Sequence, residues 1–220
     1  MALPATDSPR LVLLRHGDTE WARAGRHTGR TDVPLTPEGE KQARAAGRRL
    51  AGLAPVAVFC SPLTRARRTA ELAGFADGIV DPDLSEWDYG PVEGRTSAEV
   101  GEALGHPYEI FRDGVDVPGP VDPGTGDPGT TGARGETLAE VRARTDRFLA
   151  RARPVLAGGG SVLVVAHGHL LRVLATSWLD VDASFGVHLE LGCAAICALG
   201  SAHGRPTIEA WNLVGDDHAV

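Results

Sequence analysis

Leu11-Val-Leu-Leu-Arg-His-Gly17 joins an apolar run to an Arg-His pair and a glycine. The apolar residues predict a β-strand, so Arg15 and His16 fall at its carboxyl end, where open α/β sheets place their ligands. A neutral imidazole is a competent nucleophile toward phosphorus, and a guanidinium matches phosphate oxygens with a planar donor fork. The segment indicates phosphate chemistry, although a triplet this short also fits an ordinary loop histidine after a strand.

Short apolar strands alternate with amphipathic helices on both sides of this segment, an order that predicts an α/β fold. The apolar run at residues 162–165 predicts a central parallel strand that is buried on both faces. Each predicted helix is preceded by a hydroxyl cap, a proline or a glycine. The strands are predicted at residues 11–14, 55–60, 79–80, 161–166, 192–199 and 207–213, and the helices at 36–50, 61–73 (capped by Ser61), 96–104, 137–156 and 168–179.

Length and composition favour one soluble domain spanning residues 1–220. The chain has three cysteines without metal-finger spacing, which argues against a disulfide framework and favours a reducing cytoplasm. The first residues lack the pattern of a signal peptide, and no apolar run has the length of a membrane span. The net charge of −7 argues against a general nucleic-acid binder.

Residues 113–135 are interpreted as a long irregular insertion, since 11 of these 23 residues are Gly or Pro. Such a loop in a compact domain is either functional, for example a lid over a site, or a mobile insertion. The composition alone leaves both interpretations open.

Three further segments carry polar residues suited to phosphoryl transfer. Arg65 falls in the first turn of a predicted helix, where backbone N–H groups and the macrodipole favour an anion. Glu86 lies in an acidic, aromatic, Gly-rich loop, and a carboxyl beside a phosphoester can protonate the departing alkoxide. His167 ends the most apolar strand, and a cationic imidazole there would stabilise a transferring phosphoryl group. Each has a plainer interpretation alone: a surface arginine, a solvated turn and a structural histidine.

Together these segments resemble the motifs of the histidine phosphatase superfamily, whose fold is typified by cofactor-dependent phosphoglycerate mutase. The resemblance covers most of the chain and implies a three-layer α/β/α sandwich with a mostly parallel central sheet. The motifs occur in the family's order: Arg15-His16-Gly17, Leu35-Thr-Pro-Glu-Gly39, Ser61-Pro-Leu-Thr-Arg65-Ala-x-x-Thr69, Leu84-x-Glu86 and His167-Gly168.

The resemblance also implies a role for each matched residue. His16 takes the phosphoryl group, Glu86 donates a proton, and Arg15, Arg65 and His167 surround the phosphoryl group. No metal or organic cofactor is implied, and the expected partner is a small phosphorylated substrate, without nucleic acid or membrane and with a homodimer left open. The remaining expected substrate-binding residues are Thr28, Gly29, Tyr89, Gly168 and His169.

Departures from the mutase pattern favour hydrolysis. The chain has Glu86-Trp-Asp-Tyr-Gly90 where mutases resemble Glu-Arg-x-Tyr-Gly, His169 where they carry Asn, and Ala22 in place of a pocket Asn. The continuation Gly90-Pro-Val-Glu-Gly94 is similar to phosphatase branches, especially sedoheptulose-1,7-bisphosphatase-type and bacterial acid-phosphatase-like enzymes. A sugar phosphate or bisphosphate is therefore the expected substrate. The alternatives are a ribazole phosphatase, a promiscuous phosphomonoesterase, a phosphoglycerate mutase and a non-catalytic phospho-ligand-binding protein.

Overall fold

The computed structural model describes residues 8–119 and 134–215. Its centre is a six-stranded mixed sheet with the strand order β3-β2-β4-β1-β5-β6. β3, β2, β4 and β1 are mutually parallel, whereas β5 runs antiparallel to both β1 and β6. The strands are β1 (Leu11–Arg15), β2 (Ala57–Cys60), β3 (Ile79–Val80), β4 (Val162–Ala166), β5 (Ile196–Ala202) and β6 (Arg205–Leu213).

Helices cover both faces of the sheet, so the expected three-layer sandwich is confirmed. One face packs against α6 and α7 around Leu11, Leu13 and Val164, and the other packs against α2 and α3 around Val12 and Leu14. The helices are α1 (Glu20–Arg23), α2 (Pro37–Arg49), α3 (Thr64–Leu72), α4 (Ser97–Leu104), α5 (Ile110–Asp113), α6 (Leu138–Ala157) and α7 (Gly168–Leu179).

β4 is buried along its whole length between β1 and β2, as its continuous apolar sequence predicts. Its register with β1 places Arg15 opposite Ala166. The residues that follow the two strands, His16 and His167, therefore leave the same edge of the sheet. This register brings together two histidines that are 151 positions apart in the chain.

Three predicted helix starts are confirmed by their caps. Thr36 accepts a hydrogen bond from Gly39 N at the start of α2, and Thr96 and Thr137 each form a capping box with the glutamate three residues later. The prediction that Ser61 caps α3 is wrong. The helix begins at Thr64, and its N-cap residue Leu63 makes no side-chain cap. The Ser61 hydroxyl accepts from Leu63 N at 3.2 Å and contacts Nε2 of His167.

Two predicted strands begin earlier than the observed ones. β2 starts at Ala57 rather than at Pro55, since a proline has no N–H to donate to a neighbouring strand. β5 starts at Ile196 rather than at Gly192, because Ala194 adopts a positive φ of 53° in the turn before it. Of the predicted insertion at 113–135, residues 120–133 lie outside the described residues, so no role is assigned to them.

Candidate active site

The rings of His16 and His167 meet edge to face, with centroids 5.1 Å apart and an interplanar angle of 60°. The Nδ1 atom of His16 lies 2.7 Å from the carbonyl oxygen of Gly17. Because a carbonyl only accepts, Nδ1 carries the proton, and Nε2 keeps its lone pair. Burial lowers the pKa of His16 well below its ordinary value, and the charges of Arg15 and Arg65 lower it further. His16 is therefore a neutral nucleophile at neutral pH.

The loop that holds His16 packs directly on the start of α2. A Cβ added to Gly17 would lie 2.3 Å from the carbonyl oxygen of Gly39, and one added to Gly39 would lie 2.1 Å from that of Asp18. Thr69 Oγ1 also accepts a hydrogen bond from Gly17 N at 3.1 Å. The two glycines allow the backbones to approach closely, and this contact fixes the peptide that orients His16.

Arg15 presents an unpaired buried donor beside His16. Its Nη1 donates to the carbonyl oxygen of Leu191, whereas its Nε is buried and has no hydrogen-bond partner among the described residues. A Cβ on Gly168 would lie 3.3 Å from that Nε, so the absence of a side chain there leaves room for the guanidinium. A buried N–H without a partner is costly, and an anion at this point would satisfy it.

Arg65 is fully buried and directs most of its donors at the protein itself. Nη2 donates to the carbonyl oxygens of Thr28 and Gly29, and Nη1 donates to that of Thr31 at 2.9 Å. Nε donates to Nδ1 of His167 at 3.3 Å. Arg65 thus ties the 28–31 loop to the site and supplies positive charge from behind it.

His167 is held between two polar groups. Its Nδ1 accepts from Arg65, and its Nε2 lies 2.7 Å from the buried hydroxyl of Ser61. Burial lowers the pKa of His167 well below its ordinary value, and the positive charge of Arg65 lowers it further. The cationic imidazole expected from the sequence is thus disfavoured here, because a guanidinium N–H already points at one ring nitrogen and no carboxylate offsets the burial.

The Glu86 carboxylate lies at the N-terminus of α7. Its Oε1 accepts from the backbone N–H groups of Trp87 and Leu170, each at 2.9 Å, and its Oε2 accepts from His169 N at 3.2 Å. Since the N-cap residue His167 makes no side-chain cap, Glu86 satisfies amides that the helix leaves unpaired. The acid is therefore held by three backbone amides, and it lines the same cavity as His16.

A buried ion pair holds the loop that carries Glu86. Arg144 on α6 donates to the carbonyl oxygens of Asp83, Ser85 and Glu86 at 2.8, 2.6 and 3.1 Å. Its Nε and Nη2 donate to the carboxylate of Glu136 at 2.8 and 3.0 Å. Glu136 in turn accepts from Asp88 N at 2.9 Å. The backbone of this loop is thereby held at four of the six residues from 83 to 88 by one arginine and one glutamate.

A cavity of about 320 Å³ opens from His16. Of the expected site residues, Arg15, His16, Thr28, Glu86, Tyr89, Gly168 and His169 line it. The other three, Arg65, His167 and Gly29, are not among the lining residues. Gly29 accepts from Arg65 and donates to the Glu93 carboxylate at 3.0 Å, so it supports the site without facing the cavity.

Comparison with known proteins decides the family. A model of the histidine phosphatase superfamily (branch 1) matches residues 11–214. The chain is 36% identical over 214 residues to an acid phosphatase of Mycobacterium tuberculosis, covering 96% of each chain. It is 32% identical over 218 residues to the sedoheptulose 1,7-bisphosphatase of Saccharomyces cerevisiae, covering 86% of this chain and 72% of that one.

The protein belongs to the histidine phosphatase superfamily. The solved structure of an open reading frame from Mycobacterium tuberculosis superposes on this superfamily member with a TM-score of 0.81 at 35% identity, covering 94% of this chain and 98% of that one. A 2,3-bisphosphoglycerate-dependent phosphoglycerate mutase of Leifsonia xyli is 37% identical over 188 residues, 76% of each chain. The family and its phosphatase relatives identify the protein as a phosphoric monoester hydrolase acting on small phosphorylated substrates.

Some site residues of this histidine phosphatase were not predicted from the sequence. The cavity is also lined by Arg26, His27, Tyr108 and Arg172. None carries a local signal, because each owes its place to packing between distant loops. The one available hint was that His27 adjoins Thr28, which the resemblance had already assigned to the substrate side. Within residues 8–119 and 134–215, no helix is long and apolar enough to cross a bilayer.

Proposed function

We propose that this protein hydrolyses small sugar phosphates through a phosphohistidine formed on His16. The observation that supports it most directly is that two residues line one cavity: His16, whose Nε2 keeps its lone pair, and Arg15, whose buried Nε is unpaired among the described residues. One group is a nucleophile and the other is an unsatisfied anion donor. A phosphoryl group placed between them would be attacked at phosphorus while its oxygens are bound.

In the first step, Nε2 of His16 bonds to phosphorus, and the bond between phosphorus and the substrate oxygen breaks. That oxygen takes a proton from the carboxyl group of Glu86, so the sugar leaves as an alcohol. The negative phosphoryl group favours the protonated form of a neighbouring carboxyl, which provides the acid. Arg15 and Arg65 offset the charge on the phosphoryl oxygens.

In the second step, a water molecule attacks the phosphohistidine. The Glu86 carboxylate accepts a proton from this water, the bond between Nε2 and phosphorus breaks, and its electron pair returns to Nε2. Phosphate leaves and the resting protonation states are restored. Because Nδ1 of His167 accepts from Arg65, its neutral ring carries the proton on Nε2 and donates it to the Ser61 hydroxyl. The ring also packs against His16.

The sugar-phosphate assignment is supported by the similarity to a sedoheptulose 1,7-bisphosphatase and by the cavity wall. Where the mutase pattern has Arg after the acid and Asn after His-Gly, this chain has Trp87 and His169. Trp87 is fully buried in the core, so that position supplies no cation to the cavity. A mutase assignment is tested by incubation with 3-phosphoglycerate and 2,3-bisphosphoglycerate, in which formation of 2-phosphoglycerate would favour the alternative.

A phosphatase screen with p-nitrophenyl phosphate followed by a panel of sugar phosphates tests the proposal. Release of phosphate from the aryl ester, together with an acid-labile and alkali-stable phosphoenzyme, is the expected result. Binding of phosphate without turnover would instead indicate a non-catalytic phospho-ligand-binding protein. The identity of the sugar follows from the substrate with the highest kcat/KM.

The setting of the enzyme is a second part of the proposal. We propose one domain that works in a reducing cytoplasm, as supported by three free cysteines, Cys60, Cys193 and Cys197. Burial raises the pKa of the Cys60 and Cys197 thiols to about 12, which keeps them unreactive. Cell fractionation tests the compartment, and light scattering on the purified protein distinguishes a monomer from a homodimer.

A further inference from the structure

Two imidazoles outside the phosphoryl site face the same cavity. His27 comes from the loop after α1, and His169 comes from the first turn of α7. Their rings are parallel within 10°, with centroids 6.1 Å apart. Both residues line the cavity that would hold the organic part of a substrate.

The tautomer of His27 is fixed by one backbone contact. Its Nδ1 lies 2.8 Å from the carbonyl oxygen of Arg95, which can only accept. Nδ1 therefore carries the proton, and Nε2 is left with a lone pair. Burial lowers the pKa of His27, so the ring is neutral and presents an acceptor.

The tautomer of His169 follows from Tyr89. The Tyr89 hydroxyl lies 2.6 Å from Nδ1 of His169, and Tyr89 is only 2% exposed. Burial raises the pKa of Tyr89 well above its ordinary value, so the phenol keeps its proton and needs an acceptor. The described residues offer it Nδ1 of His169. The proton of this neutral imidazole is therefore on Nε2, where it is a donor.

Both arginines on this wall are partly engaged by other groups. Arg172 donates to the carbonyl oxygens of Gly186 and Val187 and stacks over the Phe111 ring at 4.6 Å. Arg26 donates to the carbonyl oxygen of Gly94 and lies 3.7 Å from the Glu99 carboxylate. The two neutral imidazoles add one acceptor and one donor, because their contacts with described residues occupy Nδ1 and leave Nε2 of each ring.

We propose that His27 and His169 form a subsite for neighbouring hydroxyl groups of a polyol phosphate. One hydroxyl donates to Nε2 of His27, and another accepts from the Nε2–H of His169. Hydroxyl groups suit both positions because each can donate and accept a hydrogen bond. A carboxylate has no proton to donate and would meet the His27 lone pair. This inference rests on the proposed function and narrows its substrate class to polyol phosphates over phosphoglycerates.

The test compares sorbitol 6-phosphate with hexyl phosphate, which has the same carbon chain without hydroxyls. H27F and H169F keep a planar ring and remove the ring nitrogens. Each is expected to lower kcat/KM for sorbitol 6-phosphate about tenfold more than kcat/KM for hexyl phosphate, a factor that corresponds to one hydrogen bond. Comparing each variant with the wild type cancels the difference between leaving groups. H188F makes the same change at an exposed histidine outside the cavity and should alter neither value.

The outcomes separate this subsite from the proposed function. Equal losses on both substrates in H27F and H169F would refute the subsite while leaving hydrolysis intact. No turnover of p-nitrophenyl phosphate by the wild type would refute the proposed function itself. If the variants do not fold, the wild type still decides: a KM for sorbitol 6-phosphate at or above that for hexyl phosphate, or efficient hydrolysis of 3-phosphoglycerate, overturns the proposal.

Discussion

His16 and His167 meet because Arg15 lies opposite Ala166 in the parallel pairing of β1 and β4. A slip of this register by one residue would turn every side chain of one strand to the other face of the sheet. The buried apolar residues of both strands prevent such a slip, so the core itself fixes the geometry of the two imidazoles.

His16→Ala should reduce turnover of p-nitrophenyl phosphate to background, because it removes the imidazole whose Nε2 would attack phosphorus. Phosphate release and labelling with radioactive phosphate measure the effect. His188→Ala, at an exposed position, is the control and should retain activity. Undiminished turnover by His16→Ala would exclude the assignment of the nucleophile.

Glu86→Gln should affect poor leaving groups more than good ones. An alkyl oxygen needs a proton as it departs, whereas a nitrophenolate does not, so we expect a loss of about 10²-fold or more for an alkyl phosphate. The smaller loss on the aryl phosphate is measured in parallel at one pH. Equal losses on the two substrates would show that Glu86 is not the acid.

The sequence predicts the position of a site residue where that residue lies at the end of a secondary-structure element. Arg15, His16 and His167 could be located because an apolar strand precedes each of them, and Arg65 because a helix begins at Thr64. Contacts made by tertiary packing left no such pattern. The hydroxyl of Ser61 was assigned to a helix cap, although it lies against a ring 106 positions away.

The contacts that hold the loop of Glu86 could not be predicted from the sequence for the same reason. A sequence shows that Arg144 lies on a helix and that Glu136 precedes it, and it predicts exposed charges on a helix of this composition. In the structure, Arg144 is only 6% exposed and donates hydrogen bonds to the carbonyl oxygens of a loop about sixty residues earlier in the chain. Only the folded chain shows that this pair borders the acid.

Glu136→Gln should weaken this support and shift the leaving-group dependence. Removing one partner of a buried ion pair leaves the other charge unpaired, and displacing an acid by about 1 Å can cost on the order of 10²-fold in rate. We expect the loss on an alkyl phosphate to exceed the loss on an aryl phosphate about tenfold. Initial rates on both esters measure it.

Arg147→Met is the matched control for that experiment. Arg147 lies on the same helix and pairs with the side chain of Asp83 at 2.6 Å, at an exposed position away from Glu86. Its loss should change the two rates by the same small factor. If Glu136→Gln behaves like Arg147→Met, the Arg144 pair serves stability alone.

Gly39→Ala should destabilise the nucleophile loop. The new Cβ would lie 2.1 Å from the carbonyl oxygen of Asp18, so the backbone must shift, at a cost of about 1–3 kcal/mol or more in the free energy of unfolding. Gly52→Ala is the control, because a Cβ at that position meets nothing within 4 Å. Urea denaturation of both variants measures the difference, and equal stabilities would contradict the close contact.

The buried histidines should make the protein less stable as the pH falls below neutrality. Burial lowers the pKa of His16, His27, His167 and His169 in the folded state. The unfolded chain therefore binds more protons than the folded chain below about pH 6.5, and stability is lost as the pH falls through that value. Each histidine contributes up to about 1.4 kcal/mol per pH unit between its unfolded and folded pKa.

Urea denaturation between pH 7.5 and 5.5 measures this slope, in a range above the ordinary pKa of carboxyl groups. H169F removes one of the four groups and should make the slope shallower, whereas H188F should leave it unchanged. Because His16 stays neutral through the same range, kcat/KM corrected for the second ionisation of the substrate should not fall at pH 6.5. A loss of activity with a midpoint at pH 6.5 would contradict the burial of the nucleophile.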